Sequence, residues 1–195
     1  ANSVTFGDLW GFARELPAIA WAVSLFAAFE AMILTLLPVY CLQQGFSTEI
    51  ALFMVSTVVV GDAVLQLPIG ALADHMSRRT LFTGCAVTLL VSSLAIPLLL
   101  HTLVIWPLWV LFGASAGGLF TLSLILIGER YRDDALVRAN AHIAQLWGVG
   151  CLVGPLAAGA GSQWINGHAL PLLMAASVWI RCSMAGPPAS PARLR

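Results

Sequence analysis

The apolar residues of this chain occur in long runs that short polar stretches separate, and this pattern constrains the fold more than any other feature. Six runs are long enough to cross a lipid bilayer as helices: residues 16–40, 50–72, 81–100, 103–128, 136–159 and 164–185. About 20 apolar residues suffice, because a helix rises about 1.5 Å per residue and the hydrocarbon core is about 30 Å thick. Only 9% of the residues are charged, whereas soluble domains carry about 25%. The sequence therefore predicts an all-α membrane protein with six transmembrane helices.

The two ends of the chain differ from the apolar middle. Residues 1–15 are polar and lack the pattern of a signal peptide, so we expect a cytoplasmic linker that continues a longer protein. The sixth run is the weakest, because Arg181 interrupts it and Pro187 and Pro188 prevent a helix from continuing. We therefore predict a six-helix transmembrane domain over residues 16–186 and a disordered cytoplasmic tail over residues 187–195.

The arginines predict the orientation of the chain in the membrane. All nine basic residues are arginines. They lie before the first run, between the second and third, between the fourth and fifth or at the start of the fifth, and in or after the sixth. The alternate loops hold none. Because basic residues accumulate in cytoplasmic loops, both termini are predicted to be cytoplasmic in a multi-pass protein of the cell membrane, with the bacterial inner membrane as the expected location.

The loop between the second and third runs carries the most specific motif of the chain. It resembles the signature loop of the major facilitator superfamily, whose pattern is Gly-x-Leu-x-Asp-Arg-x-Gly-Arg-Arg. Five positions match: Gly70, Leu72, Asp74, Arg78 and Arg79. Two positions depart from the pattern, since His75 replaces a basic residue and Ser77 replaces a glycine. The resemblance implies that Gly70 packs closely against a neighbour and that Arg78 reaches an acidic group across a cytoplasmic seam.

The end of the fourth run adds Glu129 and Arg130 at the same predicted membrane face, as in the corresponding helix of that superfamily. Glu129 is the expected partner of Arg78 or Arg79. Two interpretations stay open: a latch that breaks when the transporter changes conformation, or an interfacial ion pair worth under about 1 kcal/mol. The residues of this predicted cytoplasmic gate are Gly70, Asp74, Arg78, Arg79, Glu129 and Arg130.

Small residues in the fourth and fifth runs predict close helix packing. Gly150, Gly154 and Pro155 resemble an element typical of antiporters in the superfamily, although Ala158 replaces one of its glycines. In the superfamily that element lies in the first half of a longer protein, so we favour a packing role over a transport role. Gly113 and Gly117 have the same spacing and the same expected role.

The superfamily has twelve helices in two six-helix halves, and this chain resembles one half. We favour the C-terminal half, because the fourth run has no charged residue before Glu129, whereas N-terminal halves commonly carry an arginine there. An N-terminal half is the alternative. The partners implied are the lipid bilayer and the other half, which belongs either to the same native chain or to a second copy.

Two acidic residues, Glu30 and Asp62, lie near the middle of the first and second runs. A charge in this position costs at least about 2.5 to 3.5 kcal/mol on insertion scales, so each residue should face a cavity or bind a proton. We predict that both take part in proton coupling; the alternative is a neutral acid hydrogen-bonded to a neighbouring helix. The residues expected to line the substrate cavity are Gln66, Ser115, Thr121, His142 and Gln145.

Together these features predict a transporter of a small organic solute, coupled to protons and working by alternating access. They predict no enzyme, cofactor, metal site or nucleic-acid partner, because no ligand cluster, phosphate-binding loop or basic patch occurs. One alternative is a rhomboid-like protease with Ser115 as nucleophile, although Ala116 departs from that motif and His168 is poorly placed as a base. Another is a six-helix assembly subunit that does not transport.

Overall fold

The computed structural model describes residues 6–162 and 175–176, and the side chains of residues 9–160 and 175–176. Within these ranges all regular secondary structure is helical, as predicted. The seven helices are α1 (Phe6–Glu15), α2 (Pro17–Thr35), α3 (Leu37–Gln43), α4 (Thr48–His75), α5 (Arg78–Leu99), α6 (Ile105–Arg130) and α7 (Asp133–Ser162). The predicted sixth run, apart from residues 175–176, and the predicted tail lie outside the described residues.

Five of these helices, α2, α4, α5, α6 and α7, are long and apolar enough to cross a membrane. They coincide with the first five predicted runs. The first run forms two helices, α2 and α3, and the helix is interrupted at Leu36. The interruption occurs there because Pro38 has no amide hydrogen to continue the helix. The count of six spans and the cytoplasmic position of both termini stay predictions.

Serine side chains begin two of the spans after tight turns. The hydroxyl oxygen of Ser47 accepts a hydrogen bond from the amide of Ile50 at 3.4 Å, and that of Ser77 accepts one from the amide of Thr80 at 3.1 Å. These contacts satisfy amides that have no partner within the first helical turn. Ser77 is one of the two departures from the superfamily pattern, and its capping contact explains why the sequence tolerates it.

The central helices of the bundle are α2 and α6. Helix α6 packs against α4, α5 and α2, while α2 packs along α7. The core contains the fully buried side chains of Trp109, Phe112 and Leu119 on α6. By contrast, Leu67 on α4 is 81% exposed and Leu98 on α5 is 82% exposed. Apolar side chains that face outward are expected where the solvent is lipid rather than water.

The arginine end of the bundle is the end at which α2, α5 and α7 begin and α4 and α6 finish. It holds Arg78, Arg130 and the additional helix α1. Residues 1–15 are expected to form a cytoplasmic linker, and no helix is predicted there. In the structure α1 lies against α2 and α7.

Two glycines bring α7 into close contact with α2. A Cβ atom at Gly150 would lie 2.8 Å from the Cβ atom of Ala27, and one at Gly154 would lie 2.7 Å from the Cα atom of Ala28. Real Cβ atoms do not approach this closely, so both positions require glycine for this geometry. Small residues that let two helix backbones approach are a common basis of helix contacts within membranes.

We expect Gly150→Ala to lower the stability of the purified protein, because the added methyl group forces α7 away from α2. Overpacking of this kind costs about 1 to 3 kcal/mol. The matched control is Gly148→Ala on the same helix, where an added Cβ meets nothing within 4 Å and helix propensity improves by up to about 1 kcal/mol. Thermal melting in detergent measures both. Equal melting temperatures for the two variants would contradict this account of the contact.

Candidate functional site

The carboxylate of Asp62 lies in the seam between α4 and α6. Its Oδ1 atom accepts a hydrogen bond of 2.8 Å from Nε2 of Gln66, one turn further along α4. The opposite position on α6 is Gly117, where any Cβ atom would collide with Asp62 Oδ1 and approach Gln66 Nε2 to 3.0 Å. Gly117 therefore forms a recess that holds this acid–amide pair.

Two further glycines make the recess by bringing the backbones of α4 and α6 together. A Cβ atom at Gly61 would lie 2.5 Å from the carbonyl oxygen of Val110, and one at Gly113 would collide with the carbonyl oxygen of Val58. Gly113 and Gly117 are one turn apart, so they present one continuous flat face to α4. The side chain of Asp62 is thereby held at the helix contact and is only partly exposed.

Glu30 on α2 is the second carboxylate within the predicted spans. It is partly exposed and lies close enough to Asp62 for the two groups to interact electrostatically. Across the described residues the ion pairs all lie at the arginine end, so neither carboxylate pairs with an arginine. Two like charges in apolar surroundings repel, and a bound proton or a cationic group would relieve that repulsion.

An aromatic cluster lies one helical turn from Glu30 toward the arginine end. It joins α2, α6 and α7 through Phe26, Phe120 and Trp147. The ring centroids of Phe26 and Phe120 are 4.8 Å apart. The ring centroid of Trp147 lies 5.4 Å from that of Phe26 and 5.2 Å from that of Phe120. Phe120 and Trp147 are only partly buried. The sequence analysis did not single out these residues, although Phe26 and Glu30 share a helix face by their spacing.

The polar residues predicted for the cavity do not form one group. Gln66 accompanies Asp62, whereas Ser115 is buried and its hydroxyl donates to the carbonyl of Leu111 at 2.6 Å within α6. Nδ1 of His142 lies 3.2 Å from Oε1 of Gln145 near the arginine end. Thr121 is partly buried on α6.

The predicted gate is assembled around Arg78. Its Nη2 and Nε atoms lie 2.6 Å and 3.0 Å from Oε1 of Glu129, and Nη1 donates to the carbonyl of Ala73. Oδ1 of Asp74 is 3.7 Å from Nη1 of the same arginine. One guanidinium therefore joins the end of α4, the start of α5 and the end of α6.

Three other residues of the predicted gate are placed differently. Arg79 is exposed, and Arg130 turns away from Arg78 to pair with Glu15 of α1 at 2.7 Å. The close packing expected at Gly70 is not found, since an added Cβ would meet nothing within 4 Å in the described part of the chain. The turn of the signature loop consists of the two residues that connect α4 to α5, and it involves no close contact at Gly70.

Comparison with known proteins gives consistent findings. The family profile described as Major Facilitator Superfamily matches residues 19–180. An uncharacterized MFS-type transporter of Escherichia fergusonii, YcaD, is 30% identical over 120 residues, and one of Bacillus subtilis, YfkF, is 24% identical over 122 residues. These alignments cover 62% and 63% of this chain but 31% of each relative, so the match spans less than a third of either protein.

The contact between Asp62 and Gly117 predicts a strong coupling between substitutions at the two positions. Gly117→Ala alone should destabilise the protein, because the methyl group displaces the carboxylate from Gln66. In an Asp62→Ala background the added methyl group no longer meets a carboxylate. We therefore expect the effects of the two substitutions on the free energy of unfolding to differ from additivity by about 1 kcal/mol or more in a double-mutant cycle. Gly128→Ala on α6, where an added Cβ meets nothing within 4 Å, is the control. Additive effects in thermal or denaturant melting would refute the recess.

Proposed function

The chain belongs to the Major Facilitator Superfamily, and we propose that it forms one half of a proton-coupled transporter of a small organic solute. Members of this family are membrane transporters and not enzymes, and both relatives are named as transporters. Family membership and the five apolar helices together make this a multi-pass membrane protein. Proton coupling, the class of solute and the missing half are parts of the proposal.

The observation that carries the proposal is the pair of carboxylates within the predicted spans. Glu30 lies close enough to Asp62 for the two carboxylates to influence each other electrostatically, and neither has an arginine partner in the described part of the chain. A purely structural acid would be expected to lie fully within the packed core, whereas both side chains are partly exposed. An arrangement of this kind suits groups that take up and release protons during a transport cycle.

The two carboxylates have different surroundings, and we assign them different tasks. Asp62 is held against Gly117 and Gln66 in the α4–α6 seam, so its exchange of protons depends on how closely these helices pack. Glu30 lies beside the aromatic cluster of α2, α6 and α7, on a partly exposed surface. We propose that this surface lines the cavity that the second half of the transporter completes, with α2, α4, α6 and α7 around it.

The ion pair between Arg78 and Glu129 is proposed as a gate that stabilises one of two conformations. It joins the ends of three helices at the arginine end, and its partners are partly exposed, with 27% and 48% of the side-chain surfaces accessible. An exposed pair contributes about 0.2 to 1 kcal/mol, which is enough to shift an equilibrium between two states of similar energy but not to lock it.

We further propose that the second half is needed for transport and that the arginine end faces the cytoplasm. Rocking of the two halves would expose the carboxylates to each side of the membrane in turn. The bacterial inner membrane is the proposed location, and both named relatives come from bacteria. The chain is proposed to be the C-terminal half, on the sequence argument from α6.

The proposal is tested by Asp62→Asn in the complete native protein, reconstituted into liposomes and screened against a panel of labelled small organic solutes. We expect the variant to lose accumulation driven by a pH gradient yet to retain exchange of internal for external solute, because exchange needs no net proton movement. The control is Asp134→Asn, which removes an exposed carboxylate from the first turn of α7.

Each outcome of this screen is informative. Undiminished gradient-driven uptake by Asp62→Asn would remove Asp62 from the coupling mechanism. If the unmodified complete protein moved no solute of the panel, the result would count against transport of small organic solutes and favour an assembly role.

The gate predicts a change in accessibility at the end of α6. A cysteine at position 128, where an added Cβ meets nothing within 4 Å, should react faster with a polar maleimide when Glu129→Gln removes the partner of Arg78. An exposed ion pair limits the expected increase to about fivefold, and high salt should reduce the difference. Glu49→Gln, at the opposite end of the bundle, is the control and should leave the rate unchanged. An identical rate in the Glu129→Gln variant would contradict a gating role.

A further inference from the structure

The short helix α1 has a buried apolar face although it precedes the membrane-spanning helices. Leu9 and Phe12 are 8% and 7% exposed, whereas Trp10 is 63% exposed. The buried pair belongs to an apolar cluster that is separate from the main core. This cluster also contains Val23 of α2, Ile127 of α6 and Ile143 of α7. Helix α1 is therefore packed onto the arginine end of the bundle by a small core of its own.

Polar contacts attach the last residue of α1 to the end of α6. Oε1 of Glu15 accepts hydrogen bonds from Nη2 of Arg130 at 2.7 Å and from the hydroxyl of Tyr131 at 3.2 Å. Burial and the negative charge of Glu15 raise the pKa of Tyr131. A phenol is protonated at neutral pH even without such a shift, so the hydroxyl acts as the donor. All three groups lie at the surface or close to it, so each contact by itself is weak.

An aromatic contact attaches α1 to α7. The ring of Phe12 stacks on the ring of His142, with centroids 5.1 Å apart and an angle of 28° between the planes. His142 is 8% exposed, and its Nδ1 atom lies beside Gln145. The side chain that the sequence analysis assigns to the cavity is thus covered by α1.

Helices α6 and α7 touch each other only sparingly, and α2 packs on both of them and on α1. Near the arginine end, α1 contacts both: Glu15 reaches α6 and Phe12 reaches α7. The end of α6 is moreover held from two directions by consecutive residues, since Glu129 binds Arg78 of α5 and Arg130 binds Glu15 of α1. A separation of α6 from α7 at this end would therefore break the contacts of α1 with at least one of them.

We propose that α1 is a detachable strap that closes the gap between α6 and α7 at the arginine end. With the strap attached, the ends of the two helices move as one unit and His142 is covered. With the strap released, the two ends separate and their backbone amides open more often. The proposal needs neither the proposed proton coupling nor the identity of the solute.

Hydrogen–deuterium exchange of the complete native protein in nanodiscs tests the strap. Glu15→Gln should raise exchange by up to about fivefold in α1 and in residues 127–146, because it removes one exposed ion pair. Phe12→Ala combined with Glu15→Gln should raise it about tenfold or more, since the main apolar anchor is also removed. Trp10→Ala, on the exposed side of α1, is the matched control. It removes only a contact with Arg14 within α1, so it should leave residues 127–146 unchanged.

The pattern along the chain separates the proposal from its alternatives. Faster exchange in both α1 and residues 127–146, with α4 and α5 unchanged, supports the strap. Faster exchange confined to α1 would show that α1 holds nothing together, and unchanged exchange would show that these contacts do not hold α1. Faster exchange across all helices would make α1 part of the core rather than a strap. Each of these last three outcomes overturns the proposal.

Discussion

The close approach of α6 to α4 is the contact on which the rest of the bundle depends. Lipid is as apolar as the side chains themselves, so transmembrane helices associate through dispersion contacts and hydrogen bonds rather than by leaving water. Gly113 and Gly117 remove the side chains that would separate the two backbones. The same contact gives the carboxylate of Asp62 its recess, so the packing of the helices and the position of the proposed proton site have one physical cause.

The α2–α7 contact repeats this solution on the other side of the bundle, through Gly150 and Gly154. The two glycine contacts create two pairs of helices, α4 with α6 and α2 with α7, and α2 also contacts α6. Glu30 lies on the helix that joins the pairs, close to the aromatic cluster that contains residues from both. Such a layout keeps charged groups within the membrane at the junction between helices and away from the lipid-facing sides of α4 and α5.

At the arginine end the forces are different, because these groups reach the surface and their ion pairs are individually weak. The ion pairs stabilise this end through their number and positions rather than through the strength of any one of them. The adjacent residues Glu129 and Arg130 bind partners on opposite sides, on α5 and on α1. Several weak contacts that must break together resist a concerted movement, yet any one of them can be released at little cost. Contacts of that kind suit a protein that changes between conformations.

The sequence alone determined the all-α class and the first five spans, because a backbone in hydrocarbon must satisfy its own hydrogen bonds and long apolar runs permit only helices there. It also identified the family, since the signature loop combines fixed spacing with unusual residue types. The sequence led to the expectation that Glu129 pairs with Arg78 or Arg79, and the structure has Arg78 in that position. It did not identify α1, whose buried face consists of a few residues such as Leu9 and Phe12 and becomes apparent only when α6 and α7 are placed beside it.

The positions of the polar side chains were decided by the tertiary structure. Their polarity within apolar runs grouped Ser115, His142 and Gln66 as one cavity lining, but a hydroxyl can bond within its own helix, as Ser115 does with Leu111. Likewise, Gly70 fits the signature pattern yet has open space where a close neighbour was expected. A sequence fixes which face of a helix a residue shares with its neighbours along the chain. Which other helix that face meets, and how closely, depends on long-range packing, and that packing decided the surroundings of Asp62.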